Sequence, residues 1–257
     1  MIENTLLFFF TIFGLLIGSF INVVIARVPL GESVVTPRSK CPKCGHKILW
    51  YENIPVISYI FLRGKCLECK AKISIQYPIV ELICGVIAFL LFPQRIGSLQ
   101  IYYFLVFFFI AVIFIAQFLI DLKHQLLPDK LNIALLFIVL PYAFHKYQLY
   151  YWLVGGLIGF WGPYLITYLF YKLKGVIGLG GGDIKLFGIL GVLLGPVGIM
   201  NNIFFSCFLG AIVGGLMIFY KKQDKDVPFA FGPFIILTAT LQIYFADFFN
   251  LVNFLRF

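Results

Sequence analysis

Charge is what this chain has least of. Only 31 of its 257 residues are formally charged, 20 basic and 11 acidic, or 12%, where a soluble domain has about 25%. With 61% apolar residues and 31 Phe, a soluble fold of this length lacks the interior to hide its apolar surface. That excludes an ordinary soluble enzyme, a disordered chain and a disulfide-rich secreted module. A signal-peptide signature is also lacking. Glu3 is the only charge before the first apolar run, and no small-residue cleavage site stands at its end, Arg27, so the run reads as a retained helix. The glycine-rich GLGGGD at 178–183 lacks the Lys-Ser/Thr of a Walker loop and a preceding amphipathic strand, so it is not a phosphate-binding fingerprint. The basic residues are scattered over several connections without a recognisable nucleic-acid-binding fold, which argues against a nucleic-acid partner.

Long apolar runs are what the chain does have. A spanning helix needs about 20 mostly apolar residues, and eight segments qualify, near 5–27, 77–93, 100–120, 131–147, 149–171, 184–200, 202–219 and 229–248. The expected fold is therefore an all-α polytopic membrane protein of about eight transmembrane helices. If alternate connections lie on opposite sides with the N-terminus outside, only Arg95, Lys146 and Arg256 are outside and the other seventeen basic residues are inside. This positive-inside bias places both termini outside and the basic connections in the cytosol.

The one sizeable polar insert, 28–76, lies between the first helix (1–27) and a seven-helix bundle (77–257). It carries Cys41-Pro-Lys-Cys44 and Cys66-Leu-Glu-Cys69. Two C-x2-C knuckles suit one tetrahedral zinc ion, which would clip a segment too short to build a core. Two disulfides and a redox Cys-x-x-Cys pair are the alternatives, and the expected cytosolic side disfavours disulfides. Four thiolates would leave no open coordination position, so this zinc is expected to be structural.

Four acids stand in or beside apolar runs: Glu81, Asp121, Asp129 and Asp183. Such acids are costly and default to functional hypotheses. The three aspartates fall on connections assigned to the inside, and so share one membrane depth. Two carboxylates meeting there can share a proton, one activating water and the other polarising a peptide carbonyl, as in aspartic proteolysis. The glycines at 180–182 would let a substrate strand approach Asp183 closely. Each acid taken alone also fits a helix cap or a partner for Lys123 or Lys185. A proton- or cation-coupled transporter is the competing class, since it too places acids and glycine breaks in membrane helices.

These residues resemble a known family. GSFINVVIARVP (18–29), CPKC (41–44), NIPVISY (53–59), RGKCLECKAKISIQYPIVEL (63–82), IDLKHQLLPD (120–129), GGGDIKL (180–186) and FGPF (231–234) look like the ordered landmarks of the type IV prepilin peptidases, polytopic aspartic peptidases of the bacterial cytoplasmic membrane. The resemblance implies cleavage, after a glycine, of the leader of type IV prepilins and type II secretion pseudopilins. As in many bacterial members, it further implies N-methylation of the new N-terminus with S-adenosylmethionine, with peptidase activity alone as the alternative. By match to the family pattern, Asp121 and Asp183 would be the catalytic pair, with Asp129, Lys185, Gly180 and Gly182 in support. Glu81 would help hold the methyl donor or the amine, and Cys41, Cys44, Cys66 and Cys69 would bind zinc. Gln76 stands where the family commonly has Arg, Ala26 where an aromatic is common, and Lys123 where an acid is frequent. None of the three touches the expected catalytic pair.

Overall fold

A computed structural model describes residues 2–176, 178–221 and 230–245. Lys222, Lys225, Arg256 and the end of the eighth expected span lie outside those residues. The described chain is all-helical: α1 Ile2–Arg27, α2 Ile57–Phe61, α3 Gln76–Leu91, α4 Ser98–His124, α5 Asp129–Lys146, α6 Leu149–Lys174, α7 Gly181–Lys221 and α8 Gly232–Tyr244. It divides into two compact units, 1–116 and 117–257, with α4 passing from the first into the second.

Among the described residues, four helical stretches are long and apolar enough to cross a membrane: Asn4–Leu30, Ser98–His124, Leu149–Lys174 and Gly181–Met217. Gln76–Leu91 and Gly232–Tyr244 are apolar but shorter. In α5 the apolar stretch is trimmed by Asp129 and Lys130 at one end and by His145 and Lys146 at the other.

In the first unit α1 packs on α3 through small residues. A Cβ on Gly14 would meet the Ala88 side chain at 2.6 Å, and one on Gly18 would meet the Glu81 backbone at 2.7 Å. Such close backbone approach is how helices associate where no hydrophobic drive separates them from lipid. Phenylalanines fill the space beyond: Phe10 meets Phe104 at 5.1 Å and Phe92 at 5.3 Å, and Phe13 meets Phe108 at 5.9 Å, ring to ring. These separations suit edge-on and offset aromatic contacts.

In the second unit α7 is not one straight rod. Gly195 has φ +71° and ψ −176°, a backbone that only glycine adopts without strain, and Pro196 follows it. A Cβ on Gly159 of α6 would touch both Phe187 and Ile199, so residues on either side of Gly195 lie at one level and the two halves run antiparallel. The sequence expectation of two segments here, 184–200 and 202–219, thus corresponds to two halves, but the reversal comes at Gly195 instead of residue 201. Asn201 and Asn202 are buried inside the returning half. Asn202 donates to Gln242 Oε1 at 3.0 Å, which satisfies its amide within the helix bundle.

Candidate active site and metal centre

The sequence dictates a tight corner at the end of α4. Asp121 sits in its last turns, Gln125 turns the chain with φ +52°, and Pro128 holds the extended backbone before α5 opens on Asp129. The corner folds Leu127 inward, where it is 3% exposed. Leu127 is the wedge of the site. A Cβ on Gly182 would meet its backbone oxygen at 2.8 Å, and one on Gly232 would meet its side chain at 3.1 Å and Asp121 Oδ2 at 2.7 Å. Side chains at 182 and 232 are therefore excluded. Their absence brings the first turn of α7 and the first residue of α8 onto the corner that carries Asp121.

Asp183 lies in the first turn of α7, where the helix dipole favours a carboxylate. It reaches back to the backbone N–H of Gly180, while the N–H of Gly232 faces Asp121. The two carboxylates are near enough for the charge of Asp121 to act on Asp183. Asp121 Oδ2 and Asp183 Oδ1 are both buried without a hydrogen-bond partner. Buried polar atoms are nearly always paired, so two such carboxylate oxygens in one site point to a proton, a water or a substrate as the missing partner.

Of the other residues singled out in sequence, Asp129 and Lys185 form an exposed ion pair at 2.7 Å. The lysine-partner reading thus holds for Asp129. Two further residues had not been singled out. Gln117 donates to Asn132 Oδ1 at 2.8 Å, and Asn132 donates to the Gly182 carbonyl at 3.2 Å. Both side chains are buried, and together they link α4, α5 and the turn that carries Asp183. Their signal was an uncharged amide inside an otherwise apolar run, which needs a partner within the protein.

In the first unit, the two knuckles of the insert repeat one fold. The Cys41 N–H donates to the His46 carbonyl and the Cys66 N–H to the Ala71 carbonyl, each at 2.9 Å. Antiparallel bridges Lys40–Lys47 and Lys65–Lys72 close the two loops. After the second cysteine of each knuckle the backbone is left-handed, at Gly45 with φ +74° and at Lys70 with φ +56°. The four Sγ atoms lie within 4.8 Å of one another, with Cys41 to Cys69 at 3.8 Å and Cys44 to Cys66 at 4.0 Å. Zinc–thiolate bonds of about 2.3 Å at tetrahedral angles place sulfurs about 3.8 Å apart, so the donor set fits a metal ion. A disulfide would need about 2.05 Å, and all four cysteines are free. As free thiols they compete for charge. Cys41 is lowered to about 6, chiefly by the backbone N–H groups of Cys44 and Lys43. Cys44 is pushed up to about 11, because burial and the other three thiols outweigh the N–H of His46. His46 itself is turned to Glu52, with Nε2 3.0 Å from Oε2. Glu52 is held below its ordinary value by the Leu49 N–H and then by His46.

Glu81 is 7% exposed. Its Oε2 accepts the Val56 N–H at 2.7 Å, and the Ser19 side chain also bonds the carboxylate.

The family model for the bacterial peptidase A24 N-terminal domain matches residues 12–94, and that for the type IV leader peptidase family matches 105–215. A prepilin leader peptidase/N-methyltransferase of Stutzerimonas stutzeri is 32% identical over 92% of this chain and 89% of its own length. One from Pseudomonas aeruginosa is 33% identical over 91% and 88%, and one from Myxococcus xanthus is 37% identical over 82% and 62%. No solved structure matches the chain.

Proposed function

Because the chain belongs to the type IV leader peptidase family, we propose that it is a membrane aspartic endopeptidase that also methylates its product. Its substrates are type IV prepilins and type II secretion pseudopilins, cut after glycine at the cytosolic edge of the bacterial inner membrane. The observation that carries this reading is the pair of carboxylates Asp121 and Asp183, each with one buried oxygen that no protein group satisfies. One aspartate, ionised, takes a proton from water as the water attacks the scissile carbonyl. The other, protonated, first polarises that carbonyl and then gives its proton to the departing amine. Gly180 and Gly182 keep the approach to Asp183 open, and Asp129 with Lys185 flanks it. Because the substrate is itself an apolar helix, both reactants are tethered in the bilayer, which supplies orientation.

The second activity transfers a methyl group to the new N-terminus, for which S-adenosylmethionine supplies the methyl. The amine must be neutral to accept it. Glu81 is the residue we assign to this half. With one oxygen committed to Val56, it works by holding the 54–58 turn. Zinc is the metal we assign to Cys41, Cys44, Cys66 and Cys69. It keeps the insert folded and takes no part in either reaction.

The topology proposed with this function has eight spans, both termini outside, and the insert and aspartates on the cytosolic side. The charge partition supports it, seventeen basic residues against three.

Co-expression of the chain with a candidate prepilin, followed by N-terminal sequencing and mass measurement, tests the reading. The expected result is a trimmed pilin one methyl heavier. Asp121→Asn and Asp183→Asn should each slow trimming by at least about 10²-fold while the protein still accumulates in the membrane. Full trimming by either variant sinks the pair. Ion-coupled solute flux without trimming would favour the transporter class.

A further inference from the structure

A groove runs between α5, α6 and α7 in the second unit, with a volume of about 510 Å3. We propose that it is the docking site for the apolar helix of the prepilin substrate. The proposal rests on the peptidase reading and locates the part of the substrate that is not cut.

Apart from Asp129, Asn132 and Lys185, the groove is lined by apolar side chains and glycines, among them Ile133, Leu136, Leu153, Leu157 and Phe160. Leu157 and Ile133 are 55% and 54% exposed, so their side chains are open to an occupant. Along α7 the lining extends from Lys185 to Val192, about 10 Å at the helical rise of about 1.5 Å per residue. That is two turns, enough to receive the side chains from one face of a partner helix, the usual mode of helix-in-groove recognition.

Three features favour a substrate helix as the occupant. The first is continuity with the aspartate site. Lys185 at the mouth of the groove is two residues beyond Asp183 on the same helix, and Asn132, which lines the groove, also holds the Gly182 carbonyl. A helix lying in the groove therefore ends where the scissile peptide has to be. The second is charge. The mouth carries the exposed Asp129–Lys185 pair, so a helix whose apolar run ends there leaves its charged leader among polar groups instead of lipid. The third lies at the other end. Trp152 lines the groove, is 8% exposed, and its Nε1–H is buried without a partner. It is a donor that a hydroxyl or amide on an incoming helix would satisfy.

The test uses the full chain in detergent micelles with two substrates. One is a whole prepilin; the other is a soluble peptide that spans leader and cleavage junction but lacks the apolar helix. Leu157→Trp and Ile133→Trp fill the groove from exposed positions that the core does not need. Each should raise KM for the whole prepilin at least about tenfold, leave its kcat within twofold, and leave cleavage of the soluble peptide unchanged. Phe137→Trp, on α5 outside the groove and 76% exposed, should change neither substrate. Equal loss on both substrates, or loss on neither, overturns the proposal; loss on neither is also the outcome if a lipid chain fills the groove. If the unaltered chain trims neither substrate, the peptidase reading fails, and cross-linking then decides the groove separately. A photo-reactive residue at Leu157 that captures the prepilin helix supports docking. Capture at Phe137 but not at Leu157 overturns it.

Discussion

Val56 adopts φ +62° and ψ −48°, and Ile57 N–H donates across it to the Pro55 carbonyl at 2.6 Å. This is a γ-turn of the strained, positive-φ kind, centred on a β-branched side chain. Such a conformation costs on the order of 1–3 kcal/mol, about what a hydrogen bond to a charged group returns, and the Val56 N–H has that bond to Glu81. A positioning role for Glu81 therefore predicts that Glu81→Gln, whose amide oxygen still accepts the N–H, retains methylation of the trimmed pilin within a few-fold. Glu81→Leu, with no acceptor, should lose it. If Glu81 were the base, the glutamine variant would be as inactive as the leucine one, and product mass separates the two cases. Asn132 offers a parallel test on the peptidase side. Asn132→Leu removes the acceptor for Gln117 and the donor to the Gly182 carbonyl, leaving buried polar groups unpaired at a cost of about 1–3 kcal/mol. Loosening the Asp183 turn should lower kcat by about 10²-fold with little change in KM. Neither role was legible in the sequence. Nothing in NIPVIS marks a valine with positive φ, and an amide in an apolar run announces a need for a partner without naming it. Asp121 and Asp183 were legible because ionisable groups in such runs are rare enough for each to demand a reason.

The elements divide along similar lines. The insert was readable because metal coordination fixes spacing locally: two C-x2-C loops, each closed by its own hydrogen bonds, need only to face each other. α1, α4 and α6 were readable as long apolar runs. The course of α7 was read less well: its two segments were expected to part at residue 201, whereas Asn202 finds partners on α8 and stays helical. The actual reversal belongs to Gly195-Pro196, a pair that weakens a helix through φ freedom and a missing N–H. For the insert the fold itself makes a prediction. Its cysteines come from two short loops, each closed by its own backbone hydrogen bonds, so metal binding and folding should be one event, worth about 10–16 kcal/mol in comparable thiolate sites. Purified protein should hold about one zinc per chain, and Cys66→Ser should lose it. Without the ion, the basic residues between Lys40 and Lys72 should become open to trypsin, which limited proteolysis reads directly. Zinc-free protein with the insert still resistant would refute a structural metal.

At the scale of the whole chain, the scarce charges and the course of α7 bear on the same question, the number of spans. The chain leaves the aspartate site at Gly182 and is back at it by Gly232, whose Cβ position adjoins Asp121. Between these points it goes out and returns. Far from the site, Gly198 accepts from Gln242 at 2.9 Å. Nearer to it, Ser206 bonds the Phe234 carbonyl and the Gly210 backbone abuts the Phe231 ring. Residues 181–221 are thus a helical hairpin, and a hairpin adds two segments where a single rod would add one. That is the count the positive-inside partition requires, because a single pass would move the basic residues that follow α7 to the side with few others. The tip of the hairpin should then face outside. Val197, 59% exposed just past the turn, is the residue to ask. Val197→Cys in an otherwise cysteine-blocked background should react with a membrane-impermeant maleimide added to intact spheroplasts, while a cysteine at Leu126, in the corner between Asp121 and Asp129, should react only after lysis. Labelling of Leu126→Cys from outside would invert the topology. Protection of both until lysis would mean that the hairpin does not reach the far surface and that the span count is lower than eight.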